Sequence, residues 1–383
     1  MFIEEIQTNE ELRRQEFPVC RERNFLAHAA VCALPARVAQ AMADCAVAGS
    51  KDDQEVFLGQ LLRDTRQLAA GLLGATLREI ALVGPTSLGL SYVAAGLEFQ
   101  PGDNVICYLD DYPSNVYPWI ALRDQGVEIR FIKTGELGRI EPDDVLKLVD
   151  ARTRLVALAS CHFISGWRID TDTIGQALRE RGVLFCLDAI QTVGAFPTSV
   201  EHVDFLAADA HKWMLGPCSA GILYVKQEVQ DRLKPRVFGW HNVESPDFVA
   251  ADRIELKPDA RRYEAGTHNI AGIAGHKAAF ELLQQAGIEN IAGDLLRKRA
   301  RILRGVTAKG WTTCCADAQP RNQGGMISFR KEGLDLAELH QQLAAANITV
   351  SLRTDRSQRH YLRVSPHFYN TDAELDALLD RLP

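Results

Sequence analysis

Between Val183 and Val225 the chain places a carboxylate, Asp188, at the end of an apolar run (VLFCLDA), a glutamine, Gln191, one helical step later, and a lysine, Lys212, between His211 and Trp213. A lysine amine held neutral is a nucleophile toward aldehydes, and its flexible stem and easily lowered pKa suit it to that task. An anion beside a pyridine nitrogen keeps that nitrogen protonated. Together these groups are what pyridoxal 5'-phosphate asks of a protein: a Schiff-base lysine, and an acid that keeps the ring an electron sink. Once free of the cofactor, the same amine can move a substrate α-proton as a general base. A third element lies upstream. Thr86 and Ser87 open the segment TSLGLSYVAAGL directly after a strand-like run, a setting that reads as a helix N-cap and whose hydroxyls and free amides can also receive an anion.

The elements that must position these residues follow from the hydrophobic pattern. Apolar runs of strand length occur at Ile80–Val83, Val105–Leu109, Ile129–Ile132, Leu155–Ala159, Leu184–Leu187 and Gly221–Val225. Helical spacing covers Glu55–Leu73, and helix-like segments such as Asp172–Glu180 fall between several of the strands. This alternation implies an α/β fold, with a mainly parallel sheet between helices and ligands at the carboxyl ends of its strands. After about Lys257 the texture changes. A long helical stretch (Ile270–Arg304) leads into strands at Met326–Arg330, TVSLR and YLRVS, with a helix around Leu336–Ala346 and a final helix. We therefore expect a large cofactor-binding domain over residues 31–260, then the long helix and a smaller α+β C-terminal domain over 261–383.

At 383 residues the chain exceeds what one core usually serves. A net charge of −7 without a basic block argues against nucleic acid as a partner. The acidic, polar start MFIEEIQTNEELRRQ is neither a signal nor a transit peptide, and no apolar run reaches the length of a membrane span. None of the nine cysteines forms a C-x-x-C pair, and Cys107 and Cys186 sit inside apolar runs. Reduced thiols, a cytoplasmic location and no metal site are expected.

Five segments carry a resemblance: NFLAHAAVCALPARV (Asn24–Val38), GPTSLGLSYVAAGL (Gly84–Leu97), DDYPSNVYPW (Asp110–Trp119), RRYEAGTHNIAGIAG (Arg261–Gly275) and LRVSPHFYNTDAELD (Leu362–Asp376). With the Asp188–Lys212 segment they resemble the class V aminotransferase family of fold type I pyridoxal-phosphate enzymes. That family includes cysteine desulfurases, selenocysteine lyases, kynureninases and isopenicillin N epimerases. The resemblance implies that Thr86, Ser87 and His211 bind the cofactor's phosphate and that Gln191 bonds its phenolic oxygen. It implies that residues 1–30 pack with the small domain. It also implies a homodimer in which Thr267 reaches the neighbouring subunit's phosphate. Arg363 matches the residue that grips the substrate's α-carboxylate, a task suited to its planar fork. Arg353, Arg168 and Arg356 are candidates for a second anionic group, and His28 and His241 for further substrate contacts.

Some positions depart from the desulfurase pattern. Asp209 occupies a slot that is typically a phosphate-binding serine; it is placed with the cofactor ligands, by contact or by orienting His211 or Lys212. Tyr112 replaces the histidine that stacks on the cofactor ring, and Phe163 an asparagine. The stretch Asn347–Ser365, where desulfurases carry their persulfide-forming cysteine, has none, and no cysteine follows Cys315. The expected function is therefore amino-acid chemistry through an external aldimine and an α-carbanion, ending in β-elimination (a C–S lyase) or transamination. An isopenicillin N epimerase-like reaction and a sugar aminotransferase are the alternatives. A non-enzymatic sensor would carry a DNA-binding head, which this chain lacks.

Overall fold

Asp188 and Lys212 are brought together by a seven-stranded sheet in the computed structural model, which describes residues 2–55, 58–244 and 249–383. A short strand, β1 (Asn24–Phe25), precedes that sheet. Its own strands are β2 (Ile80–Val83), β3 (Asn104–Cys107), β4 (Glu128–Phe131), β5 (Thr153–Ala159), β6 (Leu184–Asp188), β7 (Phe205–Ala208) and β8 (Gly221–Val225). They lie in the order β2-β8-β7-β6-β5-β3-β4, parallel except for β8, which runs antiparallel to both neighbours. Every residue of β3, β6, β7 and β8 is buried. Helices on both faces explain why these strands read as continuous apolar runs.

Strand β7 is absent from the sequence expectation. Its four residues, FLAA, contain no β-branched side chain, and strand signals rest on such residues. The helix Thr86–Gly96 lies directly against it: a Cβ on Gly89 would fall 2.9 Å from the Ala207 Cβ. Only glycine lets that helix settle low enough for its first turn to face the strand ends.

The helical stretch after residue 270 is two helices, Ile270–Ala286 and Ile288–Ala308. Gly287 separates them in the left-handed region (φ 79°), and the Asn290 side chain covers the Ala286 carbonyl. Beyond them β9 (Thr312–Thr313), β10 (Ile327–Arg330), β12 (Ser351–Thr354) and β13 (His360–Val364) form an antiparallel sheet ordered β12-β13-β10-β9. It has its own core, with Leu336, Leu339 and Leu375 from the helices Leu336–Ala345 and Asp372–Arg381. Strand β11 (Ile348–Thr349) pairs in parallel with β1, and Ala27 bridges to Ser365. The first thirty residues thus ride on the C-terminal sheet, further tied by Arg13–Glu374 and by Gln7 to the Phe368 carbonyl. Among the described residues no helix is long and apolar enough to cross a membrane.

Candidate active site

Four parallel strands end at one place. Asp188 is the last residue of β6, Asp209 follows β7, and the segments 110–112 and 160–163 follow β3 and β5. Lys212 lies in the turn from β7 to β8, closed by a Gly216 amide to Ala210 carbonyl bond and by Leu215 at φ 58°. It is buried, and burial pulls its amine down to about 8; Asp188 opposes this, while Arg363 and Arg353 add to it. Burial pushes the Asp188 carboxyl up to about 6, against the pull of Lys212 and of the Ile190 amide, which donates to it at 3.1 Å. The lysine ammonium lies 5.3 Å from the Tyr112 ring centroid.

Only the free amine attacks an aldehyde. Covalent capture of pyridoxal phosphate by the apo-protein should therefore quicken about tenfold per pH unit below 8 and level off above it. Stopped-flow absorbance would check this, and a rate still climbing at the pH of an ordinary lysine would refute it.

The partners of Gln191 settle its orientation. The Trp213 indole can only donate, so it faces Oε1 at 2.8 Å, and Nε2 donates to the Ala29 carbonyl at 3.1 Å. One amide hydrogen remains. Thr86 is the first residue of its helix, and its hydroxyl oxygen accepts the Asp209 amide at 2.9 Å. The Thr86 and Ser87 amides have no partner among the described residues, which suits an anion.

Asp209 does not offer itself as a direct cofactor ligand, which corrects that part of the expectation. Its Oδ2 accepts from His211 Nδ1 at 2.7 Å and the Ser219 amide at 3.1 Å, and its Oδ1 from the Ala210 and Ala220 amides. Burial alone would raise its pKa, but these donors outweigh burial and hold the carboxyl below its ordinary value. Asp209 thus holds the His211 ring through its Nδ1.

Arg363, on β13, is fully buried. It donates to the Phe163 carbonyl and, at 3.4 Å, to Ser351 Oγ, while its Nε has no partner. No acid pairs with it among the described residues. A buried cation without a counter-ion is costly, so this guanidinium is suited to an incoming carboxylate. Tyr112 stands over Lys212 and packs edge-on against Phe163, with centroids 5.4 Å apart.

His28 leaves the substrate-binding set. It is completely buried, with Nδ1 on the Ser365 carbonyl and Nε2 on the Tyr369 hydroxyl. Arg168 is spent on the Arg321 carbonyl and the Phe196 ring, and Arg356 on Asp110 at 3.5 Å. Thr267 is exposed and lines a separate cleft with Gly49 and Asp52–Glu55. His241, Glu264 and His268 form a cluster with metal-ligand chemistry. Its carboxylate already carries the Arg66 guanidinium and the Leu82 amide, so we assign it no metal.

Sequence reasoning missed Asp111. It is buried, accepts from the Tyr112 amide and the Asn115 side chain, and is pushed up to about 7 by burial and then by Asp188. The D-x-x-x-N spacing in DDYPSN was the available signal: it lets an aspartate brace the turn that presents Tyr112.

These residues fit pyridoxal phosphate. A buried lysine whose amine is drawn down to about 8, a buried strand-end acid and two unpaired amides at a helix start lie at one set of strand ends. Comparison with known proteins agrees. The sequence model of the family described as Aminotransferase class-V matches residues 24–378. A probable cysteine desulfurase of Methanothermobacter thermautotrophicus is 30% identical, with 96% of each chain aligned. The apo cysteine desulfurase of Thermococcus onnurineus NA1 superposes with a TM-score of 0.87 at 24% identity, covering 97% of this chain and 96% of that one. The cystine C–S lyase C-DES, in complex with its product cysteine persulfide, superposes at 0.86 with 20% identity, covering 95% and 98%. Below 25% identity the two structures speak for the fold alone.

Proposed function

This chain belongs to the class-V aminotransferase family and is a pyridoxal-phosphate enzyme, and from that premise we propose that it is a β-eliminating lyase acting on the C–S bond of a cysteine conjugate. The cofactor, when bound, supplies an electron sink for negative charge at the substrate's α-carbon. Lys212 anchors it and then takes the α-proton. Asp188 keeps the pyridine nitrogen protonated, Gln191 turns its remaining amide hydrogen toward the phenolic oxygen, and Thr86, Ser87 and His211 hold the phosphate. Tyr112 covers the ring face, and Arg363 grips the α-carboxylate. In the elimination the Cα–H and Cβ–S bonds break and sulfur leaves as a thiolate. The released enamine hydrolyses in water to pyruvate and ammonia.

The observation that carries this reading is the lack of a thiolate beside Arg363 among the described residues; the exposed Cys218 is not among the groups that influence Arg363. Cys161 is the thiol whose electrostatic influence reaches Arg363. It is fully buried, and burial pushes its thiol up to about 12. Persulfide formation needs the thiolate, whereas elimination needs one base and a leaving group.

A homodimer in which Thr267 completes the partner's phosphate site belongs to the same proposal. Support comes from the exposure of Thr267 in its own subunit and from the exposed Val237, Phe238 and Ile254. The deciding experiment incubates the loaded protein with amino acids and cysteine conjugates and follows products and cofactor by mass spectrometry. Pyruvate, ammonia and thiol in equal amounts, with the cofactor unchanged, are expected. A keto acid retaining its side chain, with pyridoxamine phosphate, would make the enzyme an aminotransferase. Sulfur carried on a protein cysteine would overturn the reading.

A further inference from the structure

Arg353 and Arg363 form a pair that one substrate carboxylate does not use up. On the facing strands β12 and β13, Ser351 is the register partner of Arg363 and Arg353 that of Tyr361. Residues two apart on a strand share a face, so Arg353 is the diagonal neighbour of Arg363, within reach of the same ligand. Neither arginine pairs with an acid among the described residues, and each has a buried Nε without a partner. Arg363 at least bonds the Phe163 carbonyl and Ser351. The Arg353 side chain makes no hydrogen bond at all among the described residues.

Two guanidinium groups set diagonally repel each other, and the burial of Arg363 leaves that repulsion less screened than at an open surface. Both interact with Tyr112 and both bear on the Lys212 amine, so the two cations stand near the same pair of residues. A single α-carboxylate satisfies Arg363. The charge on Arg353 then still lacks its counterpart. Arg356, the next cation along, is paired with Asp110 and does not compete for it.

We propose that Arg353 forms a second anion subsite, selecting amino acids whose side chain ends in a carboxylate or comparable acid. With the lyase reading, on which this choice of substrate rests, the preferred substrates are S-carboxyalkyl cysteine conjugates. The subsite itself is testable without any reaction.

The test measures binding of succinate and butyrate to the pyridoxal-phosphate-loaded protein by calorimetry at constant ionic strength. Succinate should bind about 10- to 100-fold more tightly, the range one charge-assisted hydrogen bond supplies. In Arg353→Met that ratio should fall to near one, and in Arg353→Lys part of it should survive. Arg353→Gln serves as the neutral variant if the methionine form does not fold. Equal binding by the wild type, or a preference untouched by loss of the charge, overturns the proposal. Turnover of S-carboxymethylcysteine against S-methylcysteine, read as pyruvate, separates the two claims. If neither is consumed while the succinate preference stands, the lyase reading fails and the subsite holds.

Discussion

Lys212→Ala is expected to leave a folded protein that no longer holds pyridoxal phosphate covalently, with turnover reduced by a factor on the order of 10³ or more, because anchor and base are lost together. Two buried lysines compete for this role. Lys298 is completely buried, and burial pulls its amine too down to about 8. Its ammonium, however, donates to Asp294 and to the His367 and Phe368 carbonyls, which occupies all three protons. Lys212 has the Tyr112 ring beside it and no such acceptors among the described residues. Borohydride reduction of the loaded protein, followed by peptide mapping, should find the cofactor on the peptide containing His211, Lys212 and Trp213. A label on Lys298, or on any other lysine, would refute the assignment.

The second large effect belongs to Arg363. Replacement by alanine should weaken amino-acid binding by roughly 30- to several thousand-fold, the 2–5 kcal/mol that losing one partner of a buried charge pair costs. Cofactor loading should survive, since the residues proposed to hold the phosphate and pyridine lie at the strand ends of the large sheet and Arg363 on β13. The measurement pairs the dissociation constant of an amino acid with that of its amino alcohol. Wild type should discriminate strongly between them and Arg363→Ala hardly at all. A sugar aminotransferase would be indifferent to the substitution, and that outcome would remove the amino-acid reading altogether.

What could be read from the chain before its fold was known divides along a physical line. Asp188 and the Thr86–Ser87 pair were legible because each stands at a change from apolar run to polar residue, and that change marks a strand end; Lys212 was legible from its place after Asp188 and ahead of a Gly-Pro turn and the strand Gly221–Val225. The alternating pattern likewise disclosed the α/β class and its mainly parallel sheet. Strand β7 escaped because alanine and leucine favour no particular backbone state strongly enough over four residues. Gly287 gave a weak hint of the helix break, since an isolated glycine in a helical pattern is often tolerated. His28 and Asp209 depended on contacts with residues far away in sequence, Tyr369 and Ser365 for one and the loop amides at 219–220 for the other. No local pattern reports such partners; the resemblance placed His28 near the substrate and left Asp209 between contact with the cofactor and orienting His211 or Lys212.

The docking of the N-terminal segment on the C-terminal sheet bears on how the enzyme is made. Phe25 pairs with Thr349 and Ala27 with Ser365, while the Ala29 carbonyl receives Gln191 and the Cys32 amide reaches the His211 carbonyl. Residues 24–27 thus take their place only once residues 348–365, far away in the sequence, are there to meet them. Until then Gln191 lacks its acceptor and the lysine turn lacks its brace. Closing a loop of that span is slow relative to local helix formation. A folding chain therefore presents no finished pocket to a reactive aldehyde, and cofactor capture is deferred until these distant segments have met.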